Sequence, residues 1–328
     1  MKKRVIGGTD FEISPIVMGC MRLTRLGVKE AGAFIENAVG NGVNFFDHAD
    51  IYDGGKCEEL FGQALKASSI SRDMIFVQTK CGIVPGKMYD LSSKHIIESV
   101  EGSLKRLQLD YVDSLLLHRP DALIEPEEVA EAFYRLAVDG KVRYFGVSNF
   151  NSMQIQLLQK YVKQPVVFNQ MQISAAHCPM ITQGLEVNMA TDGAINRDGS
   201  VLDFCRLNNI TVQAWSPFQH GFIEGTFMGV PEYKKLNDVL EKIAGEKREE
   251  MGLDSCGGAG AGGACGGAGN ITATTIAAAW LLRHPCNMQV IAGTMNMAHF
   301  NEICQAREIE LSRQQWYEIY MAAGNMLP

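Results

Sequence analysis

The sequence predicts an α/β protein folded as a closed (β/α)8 TIM barrel that is preceded by an N-terminal β-hairpin. Short apolar runs alternate with amphipathic helical patterns in eight successive units, as in a parallel sheet covered by helices. The chain of 328 residues is long enough for such a barrel, which typically takes about 250 residues. Several apolar runs end abruptly in polar side chains, which is typical of buried parallel strands that open into loops.

The chain begins with a hairpin and the first barrel unit. Residues 4–13 predict two short strands around a Gly-Gly-Thr-Asp turn, and residues 14–20 predict the first buried strand. Apolar residues within 31–39 recur at helical spacing, and Gly40 is expected to end that helix. Residues 43–46 predict the second strand.

The same alternation continues through the middle of the chain. Strands are predicted at 74–80, 111–118, 142–148 and 166–170, and helices at 57–66, 92–107, 125–140 and 155–161. Ser92 or Ser93 can cap the second of these helices. Pro126 suits the first position of the third, where the missing backbone N–H costs nothing.

The last part of the chain departs from a simple repeat. Residues 174–200 predict a long irregular loop, which in a compact domain is usually functional or disordered. Strands are predicted at 210–215 and 289–293, and helices at 201–207, 236–243, 276–283, 300–304 and, across the outside of the barrel, 316–320. A doubly wound sheet is the alternative architecture, but its Gly-x-Gly-x-x-Gly turn is missing after the first strand.

Residues 252–270 form a Gly/Ala-rich low-complexity segment, predicted to be a loop within a single barrel domain that spans residues 1–328. Residues 256–269 offer no bulky side chain to bury, so a linker role is expected. Cys256 and Cys265 could bind a metal ion or form a cross-link, but nothing beside them supplies further ligands.

The composition is that of an ordinary globular protein and argues against several function classes. Hydrophobic residues make up 46% and charged residues 20% of the chain. A net charge of −7, without a basic cluster beyond Lys2-Lys3-Arg4, argues against nucleic-acid binding. Neither an apolar stretch of about 18 residues nor a signal-peptide core is found, so we expect a cytoplasmic protein without membrane attachment. The nine cysteines lack metal-ligand spacing, so we expect reduced thiols and no metal site.

Polar residues at the ends of three apolar runs predict one shared pocket. Asp47 ends the second strand, with Tyr52 five residues later, and Lys80 ends the third. His118 ends the fourth. Burying Asp47 is costly unless a cation such as Lys80 compensates it, and the strand ends of a barrel all face one mouth. The alternative is three unrelated loop starts, with a bare buried ion pair and a loop tyrosine.

These residues, in this order and spacing, resemble the aldo-keto reductase family. The Asp-x4-Tyr pair, the strand-end Lys and the strand-end His match the family's tetrad. Further matches are Gly146-Val-Ser-Asn-Phe150, Asn169-Gln170, Trp215-Ser216-Pro217 and Gly293-Thr294. The resemblance extends from the hairpin to about Arg307. Segments 46–52 and 117–121 are most similar to the bacterial oxidoreductase branch related to potassium-channel β-subunits.

The resemblance implies NAD(P)H-dependent reduction of aldehyde or ketone carbonyls to alcohols by hydride transfer. The nicotinamide supplies the hydride, because no side chain can. Tyr52 is then the expected proton donor, with its pKa lowered by Lys80, and Asp47 keeps Lys80 charged and oriented. His118 is expected to donate a hydrogen bond to the carbonyl oxygen and to orient it.

The resemblance also implies the cofactor contacts. Hydroxyl and amide groups suited to the nicotinamide carboxamide come from Ser148, Asn149 and Gln170. Trp215 offers a flat face for the nicotinamide ring, with a plain core role as its alternative. Gly293 and Thr294 are expected to begin the eighth helix, whose N-terminus favours a phosphate. The other expected contacts along the cofactor are Met21, Arg22, Ser216, Pro217, Gly221, Gly293, Thr294, Asn296 and His299.

The expected cofactor is NADP(H), and NAD(H) is the alternative. The family commonly holds the 2′-phosphate of NADPH with Lys or Arg after the eighth strand. No Lys or Arg stands between Arg283 and Arg307, which lowers the expected preference.

Two neighbours of the tetrad are expected to be structural. His48 should point away from Asp47 and be hydrogen-bonded, and Arg119 should pair with Asp121 or another acid. Two other functions stay open: a cofactor-binding regulatory subunit with little turnover, and an unrelated barrel isomerase or hydrolase. The expected partner is a small carbonyl compound. The sequence predicts neither the identity of this compound nor the oligomeric state of the protein.

Overall fold

The computed structural model describes residues 4–5, 12–221, 224–253 and 271–327. Most of the Gly/Ala-rich segment, residues 254–270, lies outside the described residues. The described strands are, in chain order, β1 (Arg4–Val5), β2 (Glu12–Ile13), β3 (Ile16–Gly19), β4 (Phe45–Asp47), β5 (Phe76–Cys81), β6 (Ile83–Val84), β7 (Met88–Tyr89), β8 (Val112–Leu117), β9 (Val142–Ser148), β10 (Val166–Gln172), β11 (Thr211–Trp215) and β12 (Gln289–Ala292).

Eight of these strands close a parallel barrel. They pair in the order β3-β4-β5-β8-β9-β10-β11-β12, and β12 pairs with β3, which confirms the predicted (β/α)8 fold. β1 and β2 pair antiparallel in front of the barrel, so the two strands of the predicted hairpin are confirmed. A second antiparallel pair, β6 with β7, is absent from the sequence prediction and lies between β5 and the next helix.

The helices lie between and after the barrel strands. They are α1 (Val28–Gly40), α2 (Lys56–Ala67), α3 (Ser93–Leu107), α4 (Pro126–Val138), α5 (Ser152–Tyr161), α6 (Pro179–Leu185), α7 (Val201–Leu207), α8 (Lys234–Glu250), α9 (Ala273–Arg283), α10 (Met297–Gln305) and α11 (Arg313–Ala322). Within the described residues, none of these helices combines the length and apolar character needed to cross a membrane.

Two helix predictions need correction. α6 lies inside the stretch 174–200, which the sequence predicts to be irregular, and Pro179 occupies its first helical position. α10 begins at Met297 rather than at Gly293, because the Asn296 side chain accepts a hydrogen bond from the His299 N–H at 3.1 Å and caps the helix there.

The final helix packs on α9, as the sequence predicts for an outer helix. The rings of Trp280 and Trp316 stack with centroids 4.9 Å apart. Each indole N–H donates to the backbone carbonyl of the other tryptophan, at 3.0 and 3.1 Å. This reciprocal pair satisfies both buried donors and fixes α11 against the barrel wall.

The inside of the barrel is filled in layers that follow the two-residue period of the strands. On β5, Phe76, Gln78 and Lys80 are all buried at alternate positions. Phe76 stacks on Phe45 with ring centroids 4.4 Å apart, and Ile13 of the hairpin belongs to the same buried cluster. Aromatic packing therefore fills the N-terminal end, and polar groups follow toward the C-terminal mouth, where the candidate site lies.

Candidate active site

The Lys80 ammonium group joins three of the predicted site residues at the mouth of the barrel. Its Nζ lies 2.9 Å from the Asp47 carboxylate and donates to the Tyr52 hydroxyl, also at 2.9 Å. A third bond reaches the backbone carbonyl of His48 at 2.6 Å. Lys80 has no exposed surface, so its charge is compensated entirely by these neighbours.

A tight turn brings Tyr52 back over Lys80. Tyr52 begins a short 3-10 turn that extends to Gly55, and Asp53, Gly54 and Gly55 all have positive φ, at 48°, 63° and 93°. A Cβ atom on Gly55 would lie 2.7 Å from the Cδ of Arg106. Glycine at this position therefore serves both the left-handed backbone and the close approach of Arg106.

The electrostatics of the site favour a charged lysine and a neutral tyrosine. Burial lowers the pKa of Lys80, but the Asp47 carboxylate and the Tyr52 hydroxyl outweigh it, so this pKa is raised. Burial raises the pKa of Tyr52 above its ordinary value, and Lys80 offsets only part of that shift. The predicted net lowering of the Tyr52 pKa is thus wrong for this structure. The phenol keeps its proton at neutral pH and is available as an acid.

His118 lies beside Tyr52, with ring centroids 6.1 Å apart. Burial, followed by the charges of Lys80 and Arg119, holds the pKa of His118 well below its usual range. The imidazole is therefore neutral and has a single N–H to donate. Its Nδ1 is buried without a hydrogen-bond partner among the described residues.

His48 departs from the prediction of a hydrogen-bonded structural histidine. Its ring packs edge-on against Phe61, with centroids 4.5 Å apart. Both ring nitrogens are buried without a hydrogen-bond partner in the described part of the chain. Burial and the Lys80 charge lower the pKa of His48 to about 3, so the ring stays neutral.

A layer of glutamines beneath the tetrad was not foreseen from the sequence. The Gln78 and Gln170 amide nitrogens donate to one oxygen of Asp47, at 2.7 and 3.1 Å, and both also donate to the Gln213 carbonyl oxygen. Gln213 donates in turn to Gln289 at 2.9 Å. The signal was available, because each of these amides interrupts an apolar strand at an inward-facing position.

The structure brings together four residues that the resemblance implies at the nicotinamide end. Ser148 donates to the Gln170 carbonyl oxygen at 3.0 Å, and Asn149 donates to the Ser148 hydroxyl at 2.8 Å. The Trp215 indole N–H donates to the Asn149 side-chain oxygen at 3.1 Å. Asn149 adopts a positive φ of 61°, which an Asn tolerates better than most residues.

The remaining implied cofactor residues surround the mouth between β3, β11 and β12. The Arg22 guanidinium donates to the Gly293 carbonyl oxygen at 3.3 Å, which joins the loops after β3 and β12. Ser216 also has a positive φ, 50°, directly after β11. Met21, Asn296 and His299 are exposed at this rim. The other implied cofactor residues are Pro217, Gly221 and Thr294.

An ion pair behind the Tyr52 turn was also missed by the sequence reasoning. Glu58 of α2 has no exposed surface, accepts from Arg106 Nε of α3 at 2.8 Å and accepts from the Thr79 hydroxyl at 2.6 Å. Arg106 in turn lies against Gly55. Because this pair links two helices and a strand, its partners are separated along the chain and no local pattern identifies them.

Asp50, in the same turn, is expected to make stability depend on pH near neutrality. Burial, followed by the Glu58 carboxylate, raises the pKa of Asp50 to about 7. An acid whose folded-state pKa exceeds its unfolded value of about 3.9 contributes its full stabilisation below about pH 4, and that contribution is lost progressively as pH rises from about 4 to about 7. The melting temperature of the wild type should therefore fall between about pH 5 and pH 7 relative to that of Asp50→Asn.

Asp53→Asn is the matched control for this measurement, because Asp53 is exposed in the same turn. Its melting curve should track the wild type at every pH. If the Asp50→Asn curve runs parallel to the wild type as well, Asp50 does not titrate in the folded protein near neutral pH.

Comparison with known proteins identifies the family. The family model described as the aldo/keto reductase family matches residues 15–322. The chain belongs to the aldo-keto reductase family. The match begins at the first barrel strand and continues through α11. It therefore extends beyond Arg307, where the resemblance read from the sequence ends.

Curated relatives agree with this assignment over nearly the whole chain. The chain is 34% identical to the uncharacterized oxidoreductase YcsN of Bacillus subtilis, covering 98% of this chain and 97% of that protein. It is 33% identical to a 6-dehydroglucose reductase of Agrobacterium fabrum, covering 98% of each. A probable voltage-gated potassium channel β-subunit of Arabidopsis thaliana is 27% identical over 94% of this chain and 92% of its own length. These relatives confirm the predicted branch of the family.

A solved structure agrees as well. The crystal structure of a thermostable aldo-keto reductase bound to the inhibitor epalrestat superposes with a TM-score of 0.73 at 26% identity, covering 98% of this chain and all of that one. The fold and the family membership together indicate an oxidoreductase that reduces carbonyl compounds with a nicotinamide cofactor.

Proposed function

We propose that the chain is a cytoplasmic, NADPH-dependent reductase of aldehydes and ketones in which Tyr52 donates the proton to the carbonyl oxygen. The observation that carries this proposal is the buried Lys80 ammonium group, which contacts the Asp47 carboxylate and the Tyr52 hydroxyl at 2.9 Å each. A bare structural ion pair would not need a phenol as its third member. A proton donor does need a cation beside the phenolate that it leaves behind.

The residues at the mouth fit a nicotinamide cofactor by the chemistry of their donors and acceptors. Ser148 and Asn149 offer a hydroxyl and an amide group within one hydrogen-bonded cluster that is anchored on the backbone carbonyl of Gln170, which suits a carboxamide that both donates and accepts. The Gln170 side-chain amide donates instead to Asp47 and Gln213. Trp215, tied to Asn149, offers a flat face to a planar ring. When bound, the cofactor supplies the hydride.

The side chains of the site then supply the proton for the carbonyl oxygen and stabilise the negative charge that develops on it. His118 and Tyr52 hold the substrate carbonyl oxygen by hydrogen bonds while negative charge develops on it. Tyr52 transfers its proton to that oxygen, and Lys80 stabilises the phenolate that remains. Asp47 acts through Lys80, since its carboxylate holds the ammonium group and does not face the substrate directly.

NADPH is the proposed cofactor, although no Lys or Arg stands between Arg283 and Arg307 to bind its 2′-phosphate. Asn296 uses its side-chain oxygen to cap α10 and keeps its amide nitrogen as a donor, and His299 lies one turn further on. An aldo-keto reductase of Bombyx mori with a similar fold was solved in complex with NADP. NADPH should have a lower dissociation constant than NADH at moderate salt; the reverse order would contradict the assignment.

The proposed function is tested by steady-state consumption of NADPH with a panel of aldehydes, ketones and quinones. The panel should include a sugar aldehyde, because the relative from Agrobacterium fabrum is named a 6-dehydroglucose reductase. Turnover with any of these carbonyl compounds supports the proposal. Tight binding of NADPH without turnover would favour a regulatory role like that of a channel β-subunit, and no binding of either cofactor would contradict both.

A further inference from the structure

Arg119 lies between the two parts of the proposed site that hold the substrate. It directly follows His118 at the end of β8, so the two Cα atoms are about 3.8 Å apart. Its guanidinium carbon lies 5.7 Å from the centre of the Trp215 ring. Arg119 therefore connects the side chain that orients the carbonyl oxygen with the side chain that faces the nicotinamide.

The surroundings of Arg119 belong to the substrate side of the mouth. Tyr52 and Tyr89 are both close enough to act on the pKa of Arg119, and Arg119 acts on the pKa of His118. Tyr89 lies on β7, and with Met88 it is about half exposed at the outer edge, at 48% and 56%. The guanidinium thus lies within electrostatic range of the proton donor and of a half-exposed tyrosine.

The charge of Arg119 is partly removed from water. Burial lowers the pKa of this guanidinium, but an arginine remains cationic at any physiological pH. A partly desolvated guanidinium gains more from an anion than an exposed one, because the solvent screens the pair less.

We propose that Arg119 binds a carboxylate on the substrate, so that the enzyme prefers carbonyl compounds bearing an acid group to their neutral analogues. The proposal rests on the proposed reductase function and adds the substrate class. The planar guanidinium can hold both oxygens of a carboxylate, while Tyr52 and His118 hold the carbonyl oxygen.

The test compares para-formylbenzoate with its methyl ester, which present the same aldehyde with and without the charge. We expect the wild type to have the higher kcat/KM on the acid. Arg119→Met should lower kcat/KM on the acid by about 10- to 100-fold and on the ester by less than about 3-fold. Arg119→Lys should retain an intermediate preference, and added salt should reduce the preference of the wild type.

Arg143→Met is the matched control, because Arg143 also lies over an aromatic ring, that of Tyr111, at 4.0 Å. Arg143 lies near the start of β9, at the end of the barrel away from the tetrad, so its loss should leave the acid-to-ester ratio unchanged. The dissociation constant for NADPH, measured by fluorescence, should be the same in Arg119→Met and in the wild type.

Three outcomes would overturn the inference alone. An equal loss on acid and ester would mean that Arg119 only holds Trp215. Unchanged kcat/KM on both compounds in Arg119→Met would remove any role in substrate binding, and weaker NADPH binding in that variant would assign Arg119 to the cofactor. A wild type that binds NADPH but reduces neither compound nor any other carbonyl would instead overturn the proposed function.

Discussion

Tyr52→Phe is expected to remove most carbonyl reduction while leaving cofactor binding nearly unchanged. As hydride arrives at the carbonyl carbon, negative charge develops on the oxygen, and the partly buried, protonated Tyr52 hydroxyl is placed to neutralise it. General-acid assistance of this kind is typically worth about 10²–10⁴-fold in rate. The hydroxyl contacts Lys80 rather than any of the residues proposed to hold the nicotinamide carboxamide, so the affinity for NADPH should not change.

Lys80→Met should be similarly damaging, and the double variant should lose little more than either single one. The two residues act as one unit, because the ammonium group stabilises the phenolate that the phenol leaves behind. Turnover with a good aldehyde and NADPH affinity by fluorescence are the measurements, with melting temperature as a check on folding. Tyr134→Phe, an exposed tyrosine on α4, is the control. A Tyr52→Phe enzyme with more than about a tenth of wild-type turnover would place the proton donor elsewhere.

Arg106→Met is expected to destabilise the protein by about 3 kcal/mol, the lower end of the usual cost of removing one partner of a buried ion pair, because Glu58 is fully buried but the Arg106 side chain is 26% exposed. Glu58 is fully buried, and its remaining hydrogen bond from Thr79 does not neutralise the carboxylate. The double variant Glu58→Gln/Arg106→Met should recover most of the loss, because no charge is then left uncompensated. Denaturant unfolding of the wild type and of these two variants measures the free energies of unfolding.

Lys141→Met provides the comparison for an exposed pair. Lys141 contacts Glu101 on the surface, and pairs of that kind contribute about 0–1 kcal/mol. If Arg106→Met costs no more than Lys141→Met, Glu58 finds another partner or takes up a proton. If the double variant is as unstable as Arg106→Met, the contact between Arg106 and Gly55, rather than the charge, holds the Tyr52 turn.

The fold could be predicted because its strands and helices follow simple periods. The strand Val142–Ser148 and the helix Val201–Leu207 lie where the sequence places them, since each is a short apolar run between clear breakers. The hairpin of β6 and β7 was missed, because strands of two residues have no measurable period and its Pro85-Gly86 turn was not recognised as a hairpin signal. α6 was missed within 174–200 because its Gly and Thr residues weaken the helical pattern.

The site was predictable to the extent that it depends on strand ends. Asp47, Tyr52 and Lys80 were expected together because a barrel brings its strand ends to one mouth, and the structure places them in contact. The raised pKa of Tyr52 was not predictable, because the sequence does not show that burial outweighs the effect of Lys80. The Glu58–Arg106 pair depends on how α2 packs on α3, which no local pattern contains.

The layer of glutamines limits the path by which Tyr52 regains its proton after each turnover. Gln78 and Gln170 touch Asp47 from below, and Gln213 and Gln289 continue the layer across the barrel. Amide groups neither gain nor lose a proton near neutral pH. In the proposed mechanism the glutamine layer therefore cannot carry a proton to Tyr52 from inside the barrel. A deprotonated Tyr52 must regain its proton from solvent through the mouth of the barrel. Proton uptake and release of the product alcohol then share one opening.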